Sequence, residues 1–457
     1  MTETASAESF DRLDAMMAYA AARRPAHRVS GRVARISPTY IVVTGLSKFV
    51  SIGDAVSISG IGGSVLAEVA SIEAHAINVT PFIADHRIEL GARVTALSGQ
   101  LTLSPHESWL GRALNALGHP IDDRGPLFAG NSAVPIQGSP PAAMRRSRLG
   151  NALTTGVKAI DLFTPICAGQ RIGIFAGSGV GKSTLLAMLS RAPSSDVTVL
   201  ALVGERSREV RDFLDDTLSA SRDRVVSVVA TSDESPMMRR LAPSAAMCIA
   251  EYYRDQGKNV LLIIDSLTRY AHAMRELALA SDEPPVARGY PPSVFSALPR
   301  LLERAGTGEE GAGTITAILS VLIDGDDHND PIADAARGIL DGHIVLDRGI
   351  ASQGRLPAVD PLASLSRLAP KIRTKNQAQY TTQLIEGISR FEDTRDLRAI
   401  GGYRPGSDAA LDRALDIVPR LYEALKQDLN EPPVEDVFAF LSQTLPSPPR
   451  SNSPSSR

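Results

Sequence analysis

Cysteine is nearly missing from this 457-residue chain, which has Cys167 and Cys248 and no others. Two thiols build neither a disulfide framework nor a four-ligand zinc site. Their surroundings, TPICAG and SAAMCIAEYY, are apolar, so both are expected to be buried, inert thiols of a reducing, cytosolic compartment. No run approaches the roughly 18 to 20 apolar residues that span a bilayer. The segment MTETASAESF has no basic region followed by an apolar one, so a secretory signal is not expected. A soluble, cytoplasmic protein is predicted, with peripheral attachment at a membrane left open. An excess of one charge is also lacking: 48 Lys and Arg stand against 51 Asp and Glu, which argues against general nucleic-acid binding. Hydrophobic residues at 43%, with ordinary glycine and proline, exclude global disorder and collagenous or low-complexity architecture. The length fits about three domains, at roughly 150 residues each.

The texture changes along the chain. Residues 1–26 read as one amphipathic helix, with Phe10, Leu13, Met16, Met17 and Ala20 at three- and four-residue spacing and Pro25 ending the pattern. That stripe either packs on its own domain or docks a partner. Over residues 27–100 the period becomes two, in short Val/Ile-rich runs such as YIVVTGL and SVLAEVASIE separated by Gly, Asp, Asn and Ser. This predicts a small closed β-barrel acting as scaffold. Over residues 101–370, GQRIGIFAG, DVTVLALVG, DRVVSVVAT, NVLLIIDS and TITAILSVL are nearly continuous apolar runs alternating with helical stretches. They predict parallel strands covered on both faces, hence an α/β core. Residues 371–445 are helical and polar, and residues 446–457 form a Ser/Pro-rich tail expected to be disordered.

One motif carries most of the chemistry. The strand Ile172–Ile174 leads into Ala176-Gly177-Ser178-Gly179-Val180-Gly181-Lys182-Ser183-Thr184 and then into an apolar helical stretch. Strand, glycine-rich loop and helix in that order form a phosphate-binding loop, in which backbone N–H groups and the helix dipole face the phosphates. Lys182 adds a cation at the β/γ-phosphates and Ser183 a hydroxyl for Mg²⁺. Ala176 stands where the strict pattern has glycine, which a residue of negative φ tolerates. Asp265 ends LLIID, placing a carboxylate at the C-terminal end of a parallel strand, where it can serve the Mg²⁺ shell. Glu205, in Val203-Gly204-Glu205-Arg206, also follows a buried strand and can polarise an attacking water; its alternative is a solvated charge cluster.

The blocks AGSGVGKST, GERSREV, LLIIDSLTR, RGYPPSVFSALPRLLERAG and DDHNDPIADAARGILDGHIVLDR resemble the ATPases of type III protein export, which in turn resemble rotary ATP synthase catalytic subunits. The resemblance runs from about residue 28 to about residue 430. It implies an N-terminal β-barrel, a RecA-like P-loop ATPase domain and a C-terminal helical domain. It further implies a homohexamer hydrolysing ATP with Mg²⁺ at subunit interfaces, cytoplasmic and peripheral at the inner face of a membrane export apparatus. The implied partners are export-gate membrane proteins, export substrates and chaperones, and a regulatory stator protein at the N-terminal helix; none is a nucleic acid. RGILDGHIVL and DDHNDP look closer to the flagellar branch than to the injectisome branch. Position by position, the family's catalytic Glu maps to Glu205 with Arg206 beside it, its magnesium-site Asp to Asp265, and its phosphate-binding Lys and Ser to Lys182 and Ser183. Its trans-acting arginine maps to Arg367 in Ser364-Leu365-Ser366-Arg367. Where many relatives stack a Tyr on adenine this chain has Leu356, so the implied purine pocket is looser, with Tyr403 the candidate for its other side. A rotary proton-translocating ATPase subunit is the alternative. A ring helicase would want basic and aromatic residues on the barrel, which offers Tyr40, Phe49 and Phe82 and no basic run.

Overall fold

The computed structural model describes residues 29–83, 87–97, 99–323 and 330–444. The helix expected over residues 1–26, the tail over 446–457 and most of the DDHNDP block lie outside the described residues. The chain divides into two compact units, one ending at Leu101 and the other beginning at Thr102.

The first unit is a closed antiparallel barrel of six strands, β1 (Ser30–Ile36), β2 (Ile41–Thr44), β3 (Ala55–Gly60), β4 (Gly63–Ile72), β5 (Ala76–Pro81) and β6 (Arg93–Ala96), in the order β1-β2-β5-β4-β3-β6. Alternate residues point inward, as the period of two requires. Val33, Val43, Val56, Ile58, Val69, Ile77, Val79 and Val94 fill the interior. Closure pairs β6 with both β1 and β3, so the sheet has no free edge.

The second unit is built on a sheet whose longest strands are buried on both faces. Short elements precede it: β7 (Thr102–Leu103) pairs with β9 (Val134–Pro135), and β10 (Ala152–Leu153) with β11 (Ile166–Cys167). The main strands are β8 (Ala113–Asn115), β12 (Arg171–Ala176), β13 (Val197–Val203), β14 (Val225–Ala230), β15 (Asn259–Asp265), β17 (Thr314–Leu322), β18 (Gly342–Leu346) and β19 (Val359–Ser366), with β16 (Gly306–Thr307) folded against β17. Their order is β19-β18-β12-β17-β15-β13-β14-β8. Every pairing along that order is parallel except β18 with β19. All seven residues of β13 and all six of β14 are buried, which is why they read as nearly continuous apolar runs. Helices cover the faces. The longest, Pro236–Asp255, starts at Ser235, whose hydroxyl accepts from Met238 N.

After Ile372 the chain is helical, in Lys375–Asp393, Ala409–Leu425 and Val437–Thr444. Thr374 and Gln377 form a reciprocal capping box at the first of these helices. Leu384, Ile388, Val418, Leu421 and Leu441 pack against Leu162 and Phe163. Both cysteines are buried, and burial pushes both thiols up.

Candidate functional site

The strand register brings three loops to one edge of the sheet. Ala176, the last residue of β12, is level with Leu322 on β17. Asp265, the last residue of β15, is level with Leu202 on β13. The phosphate loop therefore leaves β12, Asp265 ends β15 and Glu205 follows β13, all at the carboxyl ends of parallel strands. That edge is where ligands bind in open α/β sheets.

The loop turns on Gly179 and Gly181, at φ 77° and 89°, a region in which a side chain is strained. Gly181 begins the helix Lys182–Ser190, and no side chain caps that start. Arg348 fixes the loop from outside by donating to the Ser178 carbonyl at 3.2 Å. Ser183 and Thr184 are exposed in the first helical turn.

The Lys182 ammonium reaches across β17. It donates to Asp265 Oδ1 and lies 3.6 Å from Glu205 Oε1. Ser320, on the intervening strand, donates to the same Asp265 oxygen at 2.5 Å. Arg269, four residues after Asp265, lies 3.3 Å from Glu205 Oε2 and also donates to the Gly204 carbonyl. Its stem packs over Gly204, where an added Cβ would meet Arg269 Cδ at 2.9 Å. Burial pushes the Glu205 carboxyl above its ordinary value; Lys182 and Arg269 pull it down and Asp265 pushes it further up.

This geometry gathers Lys182, Glu205 and Asp265 and leaves three expected residues elsewhere. The Arg206 side chain is 79% exposed and pairs with Glu209 at 3.2 Å, pointing away from the cluster. The arginine against Glu205 is Arg269. Tyr403 donates to Asp412 Oδ1 at 2.8 Å, within the helical region. The tyrosine that shares a small cavity with Leu356, Arg355 and Lys426 is Tyr422, and Leu356 itself lies within 3.8 Å of where a Gly181 Cβ would stand. Arg367 is exposed and donates to the Arg337 carbonyl at 3.3 Å. Its neighbour Ser366 is level with Gly342, and Gly342 with Ile172. Arg367 thus sits at the start of β12, roughly 16 Å along the strand from its own phosphate loop at about 3.3 Å per residue.

The ATP synthase alpha/beta family, nucleotide-binding domain, matches residues 156–366, and the T3SS EscN ATPase C-terminal domain matches residues 373–443. The flagellum-specific ATP synthase of Rhizobium meliloti (strain 1021) is 54% identical over 424 residues, 93% of this chain and 91% of that protein. This chain belongs to the type III export ATPase family. The SPI-2 type 3 secretion system ATPase of Salmonella typhimurium is 45% identical over 370 residues, 81% of this chain and 82% of that protein. The assembled ATPase EscN of enteropathogenic E. coli shares the fold at a TM-score of 0.82 and 37% identity, covering 90% of this chain and 98% of that one. EscN has also been solved in complex with its central stalk EscO. As in its relatives, the α/β ATPase core of this export ATPase carries a barrel before it and helices after it.

The site suits a nucleotide carrying magnesium. Ser183 and Asp265 offer hydroxyl and carboxylate oxygens, the hard donors Mg²⁺ takes. Among the described residues no group of three or more His, Cys, Asp or Glu side chains is arranged to hold a metal. A cation here would complete its shell from phosphate and water, which is how Mg²⁺ binds beside nucleotides. Among the described residues no helix is long and apolar enough to cross a membrane.

Proposed function

We propose that this export ATPase hydrolyses Mg·ATP at the sheet edge formed by Lys182, Glu205 and Asp265, and that it does so to energise export of flagellar subunits. The observation that carries the reading is the convergence of one cation and two carboxylates just past the glycine loop. Lys182, now shared between Asp265 and Glu205, turns to the β- and γ-phosphates when nucleotide enters. Backbone N–H groups of residues 177–182 and the helix start hold the same oxygens. Ser183 and Asp265 would hold Mg²⁺, which supplies charge neutralisation on the phosphates. Glu205, released from Lys182, accepts a hydrogen bond from the attacking water and takes its proton as the oxygen bonds to the γ-phosphorus and the bond to the β,γ-bridging oxygen breaks, ADP leaving with that oxygen. Arg269 favours the ionised form of Glu205, against the burial that raises its carboxyl, and aims it.

Arg367 lies too far from its own loop to serve it, which supports its action on a neighbour's nucleotide in a homohexameric ring; a guanidinium suits phosphate through its planar donors. The base lies beside Leu356, which gives apolar contact without aromatic stacking and so loose purine selectivity. The flagellar branch is favoured because two flagellum-specific relatives, at 54% and 55% identity, stand above the 41–45% of the other flagellum-specific and secretion ATPases. The ring is cytoplasmic, peripheral at the membrane export gate, and receives substrates and chaperones there, with residues 1–26 docking a regulatory stator and residues 371–445 acting as the C-terminal helical domain.

Two variants test the site. Lys182→Ala should lose both nucleotide binding and hydrolysis. Glu205→Gln should bind ATP while turnover falls by about 10² or more. Near-normal hydrolysis by either variant would overturn the assignment.

A further inference from the structure

Gln427 is a buried amide in a place where composition gives no reason for one. It is 5% exposed and follows the helix Ala409–Leu425, in the segment that returns from the helical region to the sheet. Its side-chain amide and its backbone N–H are all bonded within the protein. The side-chain oxygen accepts from Lys158 N at 3.0 Å and the side-chain nitrogen donates to the Gly156 carbonyl at 2.8 Å. Its backbone N–H donates to the Leu356 carbonyl at 2.9 Å. The side chain thus fixes Gln427 to residues 156–158, and the main chain uses that fixed point to hold Leu356, the residue that stands beside Gly181 of the phosphate loop.

A second buried group ties down the same segment. The Lys158 side chain, 7% exposed, donates to the carbonyls of Lys426 at 2.6 Å and Ala424 at 3.1 Å. Its charge lies 3.7 Å from a Glu431 oxygen and 4.8 Å above the Phe440 ring. These contacts satisfy the last carbonyls of the helix Ala409–Leu425 with a cation, where the helix dipole favours one. Residues 424–427 are therefore anchored at both ends of a short span. The anchor continues into the loop 155–156, which the half-buried Asp161 holds by accepting from Thr155 N at 3.0 Å and Gly156 N at 2.9 Å.

We infer that Gln427 and Lys158 are positioning residues for nucleotide binding: together they form a strut that sets the Leu356 wall against the phosphate loop and couples the helical region to nucleotide affinity. Neither touches the reacting phosphates in this reading, which rests on the site proposed above. Loosening the strut lowers the fraction of molecules whose Leu356 wall is in place, and the apparent affinity falls by that fraction. The chemical step, carried by Glu205 and Lys182, is untouched once nucleotide is bound.

The test compares the full-length protein with Gln427→Leu, Gln427→Glu and Lys158→Met in steady-state ATP hydrolysis, with thermal melts on each. Gln427→Leu should raise KM for ATP about tenfold, the scale of losing two hydrogen bonds, with kcat within about twofold of wild type. Gln427→Glu keeps the acceptor for Lys158 N and loses only the donor to Gly156, so its KM should fall between the two. Lys158→Met should raise KM as well, and the double variant should fall short of the product of the singles, because both hold one segment. Unchanged KM in Gln427→Leu, or kcat falling in step with melting temperature, overturns the strut. Should Lys182→Ala keep its turnover, the underlying site assignment has failed instead, whatever the Gln427 variants do.

Discussion

Removing Arg269 should move the acid limb of hydrolysis without abolishing it. Arg269 and Lys182 are the two cations against the Glu205 carboxylate, at 3.3 and 3.6 Å, and burial already holds that carboxyl above its ordinary value. A general base works ionised, so activity is lost as pH falls through its pKa. Taking away one neighbouring cation favours the protonated form and raises that pKa further. The Arg269 side chain is 34% exposed, so its field is largely screened and a water-like dielectric sets the conservative bound. Two unit charges 3.3 Å apart then interact by about 1.3 kcal/mol, equivalent to a shift of about one pH unit. Arg269→Met keeps the apolar stem that packs over Gly204 and removes the charge. The assay is kcat/KM for ATP between pH 5 and 9, because that ratio reports groups of the free enzyme. The acid limb should move up by about one unit or more, with the alkaline plateau retained to within severalfold. Superimposed limbs, or a shift to lower pH, would refute the role of Arg269 and the assignment of Glu205 as the titrating base.

Arg367→Ala and Lys182→Ala proteins should each be nearly inactive alone and regain activity on mixing, because mixed rings create interfaces with an intact loop and an intact arginine; lack of recovery in rings shown to be mixed counts against action in trans. Arg304 and Glu251 form a bidentate pair at 2.7 and 2.9 Å with side chains 3% and 8% exposed. Arg304→Met should cost about 3–5 kcal/mol, read as a lower urea midpoint, by leaving Glu251 charged and unpaired. Adding Glu251→Leu should recover most of that loss. Cys248, its thiol pushed up to about 12, should resist iodoacetamide at pH 8 until the protein is denatured, and so should Cys167; labelling of the native protein would contradict their burial.

The parts of the site that lie on one stretch of chain were legible in the sequence. A glycine loop between a strand and a helix, and an acid at the end of an apolar run, declare themselves because strand geometry alone puts them at the sheet edge. Arg269 was missed although LLIIDSLTR contains it, because its partner Glu205 is 64 residues away and only the pairing of β13 with β15 brings them together. The arginine adjacent in sequence, Arg206, drew attention instead, yet it lies at the start of the helix Ser207–Asp212 and faces solvent. Tyr403 stands in the Gly/Pro-rich stretch IGGYRPGSD and Tyr422 on the helix Ala409–Leu425, and only packing decides that Tyr422 meets the cavity wall at Leu356. The barrel was legible from its alternation. The strand order of the core was not, since crossovers such as β12 beside both β17 and β18 are settled by how helices cover the faces. The edge strand β8, three residues long, is too short to show a period.

The uncapped start of the helix Lys182–Ser190 has a cost that the folded chain carries alone. Helices ordinarily close this end with Ser, Asp or Asn, at a gain of about 1 kcal/mol over alanine and a few tenths over glycine. Here the position belongs to Gly181, whose φ of 89° makes any such replacement strained. On the proposed site the amide groups of the first turn are left for an anion the protein does not itself supply, and the substrate would finish a piece of secondary structure that folding leaves incomplete. At this one residue the sequence that would give the sturdiest empty protein and the sequence that can hold a triphosphate are different sequences. Nucleotide should accordingly act as a structural element as well as a fuel, stabilising the subunit with the logarithm of its concentration over its dissociation constant.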